Sequence, residues 1–431
     1  MTENMGAAGR RRVLIVAYHF PPVGGSSGVQ RTLKFSAYLR EHGWEPTVLT
    51  VSPRAYERVT DGQMSEIPRG MRVERAFALD SAKHLSIRGK YPRAIAVPDR
   101  WLSWWPAAVW TGWRIIRQER PAVIMSTFPI ATAHMVGKTL QRLSGLPWVA
   151  DFRDNMTDPD FPRDPVTWRY SRRLEAETVQ RCTRAVFTTR GALAMYANRY
   201  PQIPVSRWAI IENGYDEENF LDAERSLGSA AAVPGAPLRL IHSGILYPEE
   251  RDPRPFFAAV RRLKLTGEIS AQKVVIVLRA TAADELYAPM LVEAGIDDIV
   301  KLEAPVGYKE ALQEMLVADG LLLFQAAMCN HQIPAKLYEY LRAGRPLLAL
   351  TDPVGDTADA LRQAGVGSIC RLADESDIAQ TLSLFIAGLQ GGTAKGAPRD
   401  VAARYSRHAR TAELATLLNQ VAAPVQAPSL P

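Results

Sequence analysis

Arg11-Arg-Val-Leu-Ile-Val-Ala-Tyr18, followed without interruption by His19-Phe-Pro-Pro-Val-Gly-Gly-Ser-Ser-Gly-Val-Gln-Arg31, is the stretch on which the fold turns. Behind its two arginines the first part is continuously apolar and strand-sized. A strand exposed on one face would alternate, so this run reads as one buried on both faces, as in a parallel sheet. The Pro/Gly loop ends it. Val29, Leu33 and Leu39 then mix with Arg31, Lys34 and Arg40 in a helical pattern. Strand, tight loop and helix in that order open a doubly wound α/β unit.

Working outward, the same alternation recurs. Pro46–Val51, Ala122–Ser126, Trp148–Ala150 and Ala185–Thr188 read as further strands with helical patterns between them. A small-residue, turn-forming stretch over 225–237 reads as an interlobe connection or exposed loop. The alternation then restarts with Leu238–His242, Val274–Leu278, Leu321–Phe324 and Pro346–Leu350, and with helices near 254–264, 308–316 and 334–343. At 431 residues the chain exceeds what one hydrophobic core usually serves. The expectation is α/β with two Rossmann-like lobes, at 1–205 and 206–400, a last helix over 401–421 and a frayed tail over 422–431.

Apolar residues make up 47% and charged residues 23%, which excludes wholesale disorder. Cys182, Cys329 and Cys370 are an odd set without close pairing, so a reducing, cytoplasmic setting is expected. Val13–Ala17 is too short for a signal-peptide core, and no run reaches the length of a spanning helix. The net charge of +7 divides unevenly, +13 over residues 1–200 and −6 over the rest. That asymmetry suits an anionic partner of the first half, a membrane surface or a phosphate-bearing acceptor, or else reflects an arginine-rich surface. Nucleic acid is not expected, because no groove-reading motif appears. Trp101–Arg117 holds five of the nine tryptophans with arginines at its edges, which fits either a bilayer interface or a packed helix with aromatic anchors.

Two segments could carry chemistry. In the first, Gly24 and Gly25 allow backbone amides to come close to a ligand, and the helix behind them offers its positive end to phosphate. A tight strand-to-helix turn is the other reading. The dinucleotide fingerprint is missing: Gly24, Gly25 and Gly28 give Gly-Gly-x-x-Gly, and no acid ends the second strand. The second is Ile333-Pro-Ala-Lys-Leu-Tyr-Glu-Tyr-Leu-Arg-Ala-Gly-Arg-Pro346. Pro334 suits a first helical turn, Gly344 and Pro346 suit its end, and Glu339 on that helix can accept two ribose hydroxyls. Asp158-Pro-Asp160 has metal-motif spacing but lies in a proline-rich loop, and the seven histidines show no metal spacing, so no metal is expected.

The second segment resembles the signature of family 4 retaining glycosyltransferases of the GT-B fold. Glu212-Asn-Gly-Tyr-Asp-Glu-Glu-Asn-Phe220 resembles the family's junction element. The Gly24-Gly25 loop resembles its first-lobe glycine loop. Pro98-Asp-Arg to Trp105, Thr132-Ala-His134 and Trp148-Val-Ala-Asp-Phe-Arg-Asp154 are similar to a bacterial branch concerned with surface polysaccharides. The resemblance implies transfer of a sugar from a nucleotide-diphosphate-sugar to an acceptor hydroxyl with retained configuration. A nucleotide-sugar epimerase of the same fold and a non-catalytic sugar-nucleotide binder are the alternatives. It assigns Glu339, Lys336, Arg251, Gly24, Gly25, His331 and Pro334 to the donor side. His134, Asp151, Arg153 and Asp154 fall on the acceptor side, with His134 a candidate catalytic group. No cofactor is implied beyond the donor, and the acceptor would be a glycan or lipid-linked. Two departures stand out. The family's first glutamate, eight positions before Glu339, is His331 here, and Ser243-Gly-Ile245 lacks the diphosphate arginine, leaving Arg251 as the nearest basic residue.

Overall fold

The protein is described from a computed structural model, over residues 9–24, 28–60, 62–88, 90–227 and 235–423. Gly25 and most of the 422–431 tail therefore lie outside the described residues, as does the middle of the 225–237 stretch. The chain divides into two compact units, residues 1–212 with 407–431, and residues 213–406.

Among the described residues the first unit has strands β1 (Arg11–Ala17), β2 (Trp44–Val51), β3 (Arg72–Ala76), β4 (Val123–Thr127), β5 (Trp148–Phe152), β6 (Arg184–Phe187) and β7 (Trp208–Ile210). They form one sheet in the order β3-β2-β1-β4-β5-β6-β7, parallel throughout. Beyond its two exposed arginines β1 is wholly buried. Its side chains alternate between two apolar layers: Leu14 and Val16 join Trp104, Leu140 and Phe152 on one face, and Val13, Ile15 and Ala17 join Leu33, Phe35 and Leu418 on the other. Leu418 belongs to the helix Arg407–Ala422, which returns from the end of the chain to pack beside the helix Gly28–Tyr38. Where the sequence suggests one helix over 401–421, a turn separates Arg399–Ala403, in the second unit, from Arg407–Ala422 in the first.

The second unit repeats the plan with β8 (Leu238–Ser243), β9 (Val274–Arg279), β10 (Val300–Glu303), β11 (Gly320–Phe324), β12 (Leu347–Leu350) and β13 (Ile369–Cys370), in the order β10-β9-β8-β11-β12-β13. Again all pairs are parallel. Leu322, Phe324, Leu348 and Leu350 face one apolar layer, and Leu321, Leu323, Leu347 and Ala349 the other. Both units thus share the Rossmann order, and together they are the two Rossmann-like lobes of the GT-B fold. In each, the order reverses between the first strand and the fourth, at β1/β4 and at β8/β11. Ligands of such sheets bind beyond the carboxyl ends of the strands at that reversal.

Candidate functional site

In the second unit the reversal point is built from the loop after β8 and the helix Ala335–Ala343 after β11. Gly244 follows β8 at φ +112°, a conformation that favours glycine, and a Cβ there would stand 2.8 Å from Lys336 Nζ and push the end of that side chain aside. Lys336 is the second residue of the helix, which Pro334 precedes and Gly344 ends in the left-handed conformation. Its ammonium lies 3.3 Å from His242 Nε2, while His242 Nδ1 is 2.9 Å from the Leu322 carbonyl. Nε2 also lies 3.0 Å from the Gly244 carbonyl, so a carbonyl faces each ring nitrogen and the neutral ring's one N–H serves one of the two, with Nε2 free to accept from the ammonium only when the proton is on Nδ1. The imidazole is fully buried, and burial followed by the Lys336 charge holds its pKa well below the usual value.

Lys336 is perturbed in turn. Burial first, then the nearby Arg251 cation, pulls its pKa down to about 7, and Glu339 opposes them. The Arg251 guanidinium donates to the Ile245 carbonyl at 2.7 Å and lies over the Tyr247 ring at 5.3 Å. Two cations therefore stand close together with no carboxylate oxygen within ion-pair distance of either, among the described residues. On the same helix Glu339 Oε1 accepts the Tyr308 hydroxyl at 2.8 Å. Tyr340 accepts the Ser243 amide at 2.8 Å and pins the end of β8. His331 sits in the loop leading to Pro334. That loop is braced by the Gln325 amide, which donates to the carbonyls of Cys329 (2.9 Å) and Gln332 (2.8 Å), and by Asn330, which donates to Asp352 at 2.7 Å.

The first unit places its candidates differently from one another. The Gly24 amide donates to the Arg58 carbonyl at 3.0 Å, and a Cβ on Gly24 would press on Thr60 at 3.1 Å, so this glycine is committed to a close backbone approach inside the loop. Asp151 is 1% exposed and is gripped by Arg31, Nε to Oδ2 at 3.1 Å and Nη2 to Oδ1 at 2.8 Å, with Thr127 donating at 3.0 Å. Arg31 also donates to the Ile211 and Glu212 carbonyls, both at 2.9 Å, and so ties the first helix to the end of β7. Arg153 donates to the Gly28 carbonyl at 3.1 Å. A Cβ on Gly28 would stand 2.5 Å from Nη1, so this third glycine makes room for a guanidinium. Burial lowers the pKa of that guanidinium, and burial with the Arg153 charge pulls His19 down to about 3. Asp154 is exposed beside it.

His134 lies in the core. The Trp148 indole N–H donates to Ser126 Oγ at 2.8 Å, and Ser126 is 2.8 Å from His134 Nδ1. Ser126 Oγ, with two lone pairs and one proton, can exchange a hydrogen bond with Nδ1 in either direction, and Nε2 is packed among Phe128, Phe152 and Trp148 without a hydrogen-bond partner. Burial pulls its pKa down to about 3, so it is neutral near pH 7. Its side chain touches the core, not a ligand surface.

Several residues were missed by sequence reasoning. His242, Gly244, Tyr308 and Tyr340 complete the cluster around Lys336 and Glu339, and of these only His242-Ser-Gly244 carried a signal, a polar triplet closing an apolar strand. Gln30, 8% exposed in the first turn of the helix Gly28–Tyr38, has neither carboxamide atom hydrogen-bonded. Asp158 accepts the Asn155 amide at 3.2 Å. Among the described residues no group of three or more His, Cys, Asp or Glu is placed to hold a metal.

The comparisons with known proteins extend this geometry. Residues 27–214 match the family described as the glycosyl transferase 4-like domain. Over that stretch, somewhat less than half of its length, the chain is similar to this family. A comparison with curated proteins finds no match. Among solved structures, sucrose-phosphate synthase from Thermosynechococcus elongatus is 14% identical with a TM-score of 0.66, over 96% of this chain and 99% of that one. Anabaena HepE in complex with UDP is 13% identical with a TM-score of 0.61, over 95% and 100%. UDP-GlcNAc 2-epimerase from Neisseria meningitidis bound to UDP-GlcNAc is 11% identical with a TM-score of 0.54, over 95% and 100%. At these identities the likeness is one of fold.

Proposed function

We propose that the protein transfers a glycosyl group from a nucleotide-diphosphate-sugar to an acceptor hydroxyl, with retention of configuration and without a divalent metal. The observation that carries this reading is the pair Lys336 and Arg251, two cations at the reversal point of the second sheet with no carboxylate in ion-pair distance among the described residues. Like charges held together in a partly dry site are costly until an anion joins them. A diphosphate supplies that anion, and Lys336 at the start of its helix adds the helix's positive end. As the sugar–phosphate bond opens, charge grows on the departing diphosphate, and these fixed donors stabilise it most at that moment. Glu339, one helical turn further on, is read as the acceptor of ribose hydroxyls; the hydrogen bond it takes from Tyr308 supports this by fixing its carboxylate. HepE, solved in complex with UDP, and the glycosyl transferase 4-like family that residues 27–214 match support a nucleotide-sugar donor. The acceptor is read as a glycan or lipid-linked sugar of a surface polysaccharide, met at the membrane face by the first unit.

The test is turnover of candidate donors with and without a chelator. Transfer that persists in chelator is expected, whereas loss restored by Mn²⁺ refutes metal independence. Conversion of a donor to its 2-epimer without any acceptor favours the epimerase reading, because that chemistry occurs on the same fold. A diphosphate nucleotide that fails to raise the melting temperature removes the donor assignment altogether.

A further inference from the structure

The tryptophan-rich segment is mostly interior: Trp104 is fully buried, Trp101 and Trp113 pack against the core, and Trp105 and Trp110 are 36% and 66% exposed. Beside it the first unit carries a groove of about 690 Å³, walled by Leu85, Ile95, Trp105, Met135 and Tyr170. That volume lies within the range of about 300–1,000 Å³ usual for ligand sites. None of the candidate donor or acceptor residues is among those that line it. At one side Lys138 and Arg173 both reach Glu177, at 2.5 and 3.0 Å, which leaves that wall net positive.

The segment 81–98 forms another wall, contributing Leu85, Ala94, Ile95, Val97 and Pro98. Its composition is unusual in one respect. It holds Lys83, Arg88, Lys90 and Arg93 and not one Asp or Glu. Between these cations Leu85, Tyr91 and Ile87 point outward, the last 80% exposed. Outward apolar side chains cost solubility unless something covers them, and cations interleaved with them disfavour any cover that brings positive charge. Arg93 lies 3.3 Å from Asp164 and Glu177 stands in the opposite wall, so the rim keeps both signs with cations in excess. An apolar trough with a net cationic rim is complementary to an amphiphile with a hydrocarbon chain and an anionic head. Among the described residues no helix is long and apolar enough to cross a membrane. Attachment through these residues would be from the surface.

We propose that the groove and the 81–98 segment seat the hydrocarbon chain of an anionic membrane lipid, with its headgroup among Arg88, Lys90 and Arg93, so that the first unit docks on a lipid leaflet. This deepens the reading above, on which it rests only for taking the acceptor to be lipid-linked.

The experiment uses the full chain and vesicles of phosphatidylcholine, alone or mixed with phosphatidylglycerol, at low and raised salt. Flotation is expected only with the anionic lipid and should weaken with salt. Each surface cation contributes about fivefold to such partitioning. Lys90→Glu with Arg93→Glu should therefore cost at least about tenfold, and Ile87→Glu with Tyr91→Glu a comparable loss through the apolar contact. All four side chains are exposed, so folding is kept, and a nucleotide thermal shift on each variant checks it. Phosphatidylglycerol brominated along its acyl chain should quench tryptophan fluorescence, and Trp105→Phe should remove most of that quenching while Trp110→Phe keeps it. Flotation indifferent to both double variants overturns the proposal. So does flotation without Trp105-dependent quenching, which means adsorption by charge alone, and so does an absence of flotation, which leaves the groove to a protein partner. If vesicles bind as expected but no nucleotide diphosphate does, the donor reading fails and the lipid site stands; the converse result separates them the other way.

Discussion

Glu339 is the residue whose replacement speaks most directly to the proposed donor site. Its carboxylate already accepts Tyr308 and stands one turn from Lys336 on the same helix. A hydrogen bond to a charged group contributes about 1.5–3 kcal/mol. Glu339→Ala should therefore weaken nucleotide-diphosphate binding at least about tenfold by calorimetry, and Glu339→Gln should recover part of it. The melting temperature should barely move, because the side chain is only half-buried. A stable variant with full affinity would leave Glu339 a structural partner of Tyr308. Lys336 adds a pH dependence. Its folded pKa of about 7 lies below the ordinary lysine value, so between the two the unfolded chain holds the extra proton. Stability of the nucleotide-free protein should accordingly rise from pH 7 toward pH 9 and be lowest below about 7, where the buried ammonium is charged. Diphosphate binding should run the opposite way, weakening by up to about a decade per pH unit above 7, because the bound anion needs the ammonium and the free site has lost its proton. Melting curves and titrations of Lys336→Met against the parent check both, since the variant should show neither slope.

At the scale of elements, the site depends on how β8 ends and how the helix Ala335–Ala343 begins. Gly244 meets two demands at once, a positive φ and space for the Lys336 ammonium. Gly244→Ala should cost about 1–3 kcal/mol of stability from the backbone conformation. It should also displace Lys336 and so weaken diphosphate binding in a protein that still folds. A Gly244→Ala variant with unaltered affinity would mean that the lysine adapts and that its position is not set by the turn. Where the elements escaped sequence reading, the cause is visible in their residues. Arg72-Val-Glu-Arg-Ala76 is an edge strand of which only Ala76 is buried, so it has no apolar signal to read. Trp208–Ile210 and Ile369–Cys370 are edge strands of three and two residues, too short for any periodicity to register.

At the scale of the molecule, the last helix completes the first unit. Leu414, Leu417, Leu418 and Val421 of Arg407–Ala422 are buried in the apolar layer that holds Leu33 and Phe35. Each such side chain stabilises by about 1.5–3 kcal/mol when covered. Their sum is comparable to the net stability of a whole domain, about 5–15 kcal/mol. A chain ending at Ser406 should therefore lose cooperative unfolding of the first unit while the second, closed within residues 213–406, keeps its own transition. Calorimetry that shows two intact transitions in the shortened chain would refute this.

What the sequence by itself determined is the set of buried parallel strands and the helix that carries Lys336 and Glu339. Runs such as Val13–Ala17 and Leu321–Phe324 are apolar at every position, and burial on both faces is the only environment that suits them. Glycine and proline mark where such runs stop. Only the tertiary structure decided which polar residues meet. His242 and Lys336 are 94 positions apart, and Arg31 and Asp151 are 120 apart. Neither pairing leaves a local trace, because hydrogen bonding across a sheet has no period along the chain. The same reason sorted the first-lobe candidates. Asp151 and His134 look like ligand residues as letters, yet one is closed by a buried guanidinium and the other is enclosed by aromatic rings. Those environments come from strands and helices that only packing brings together.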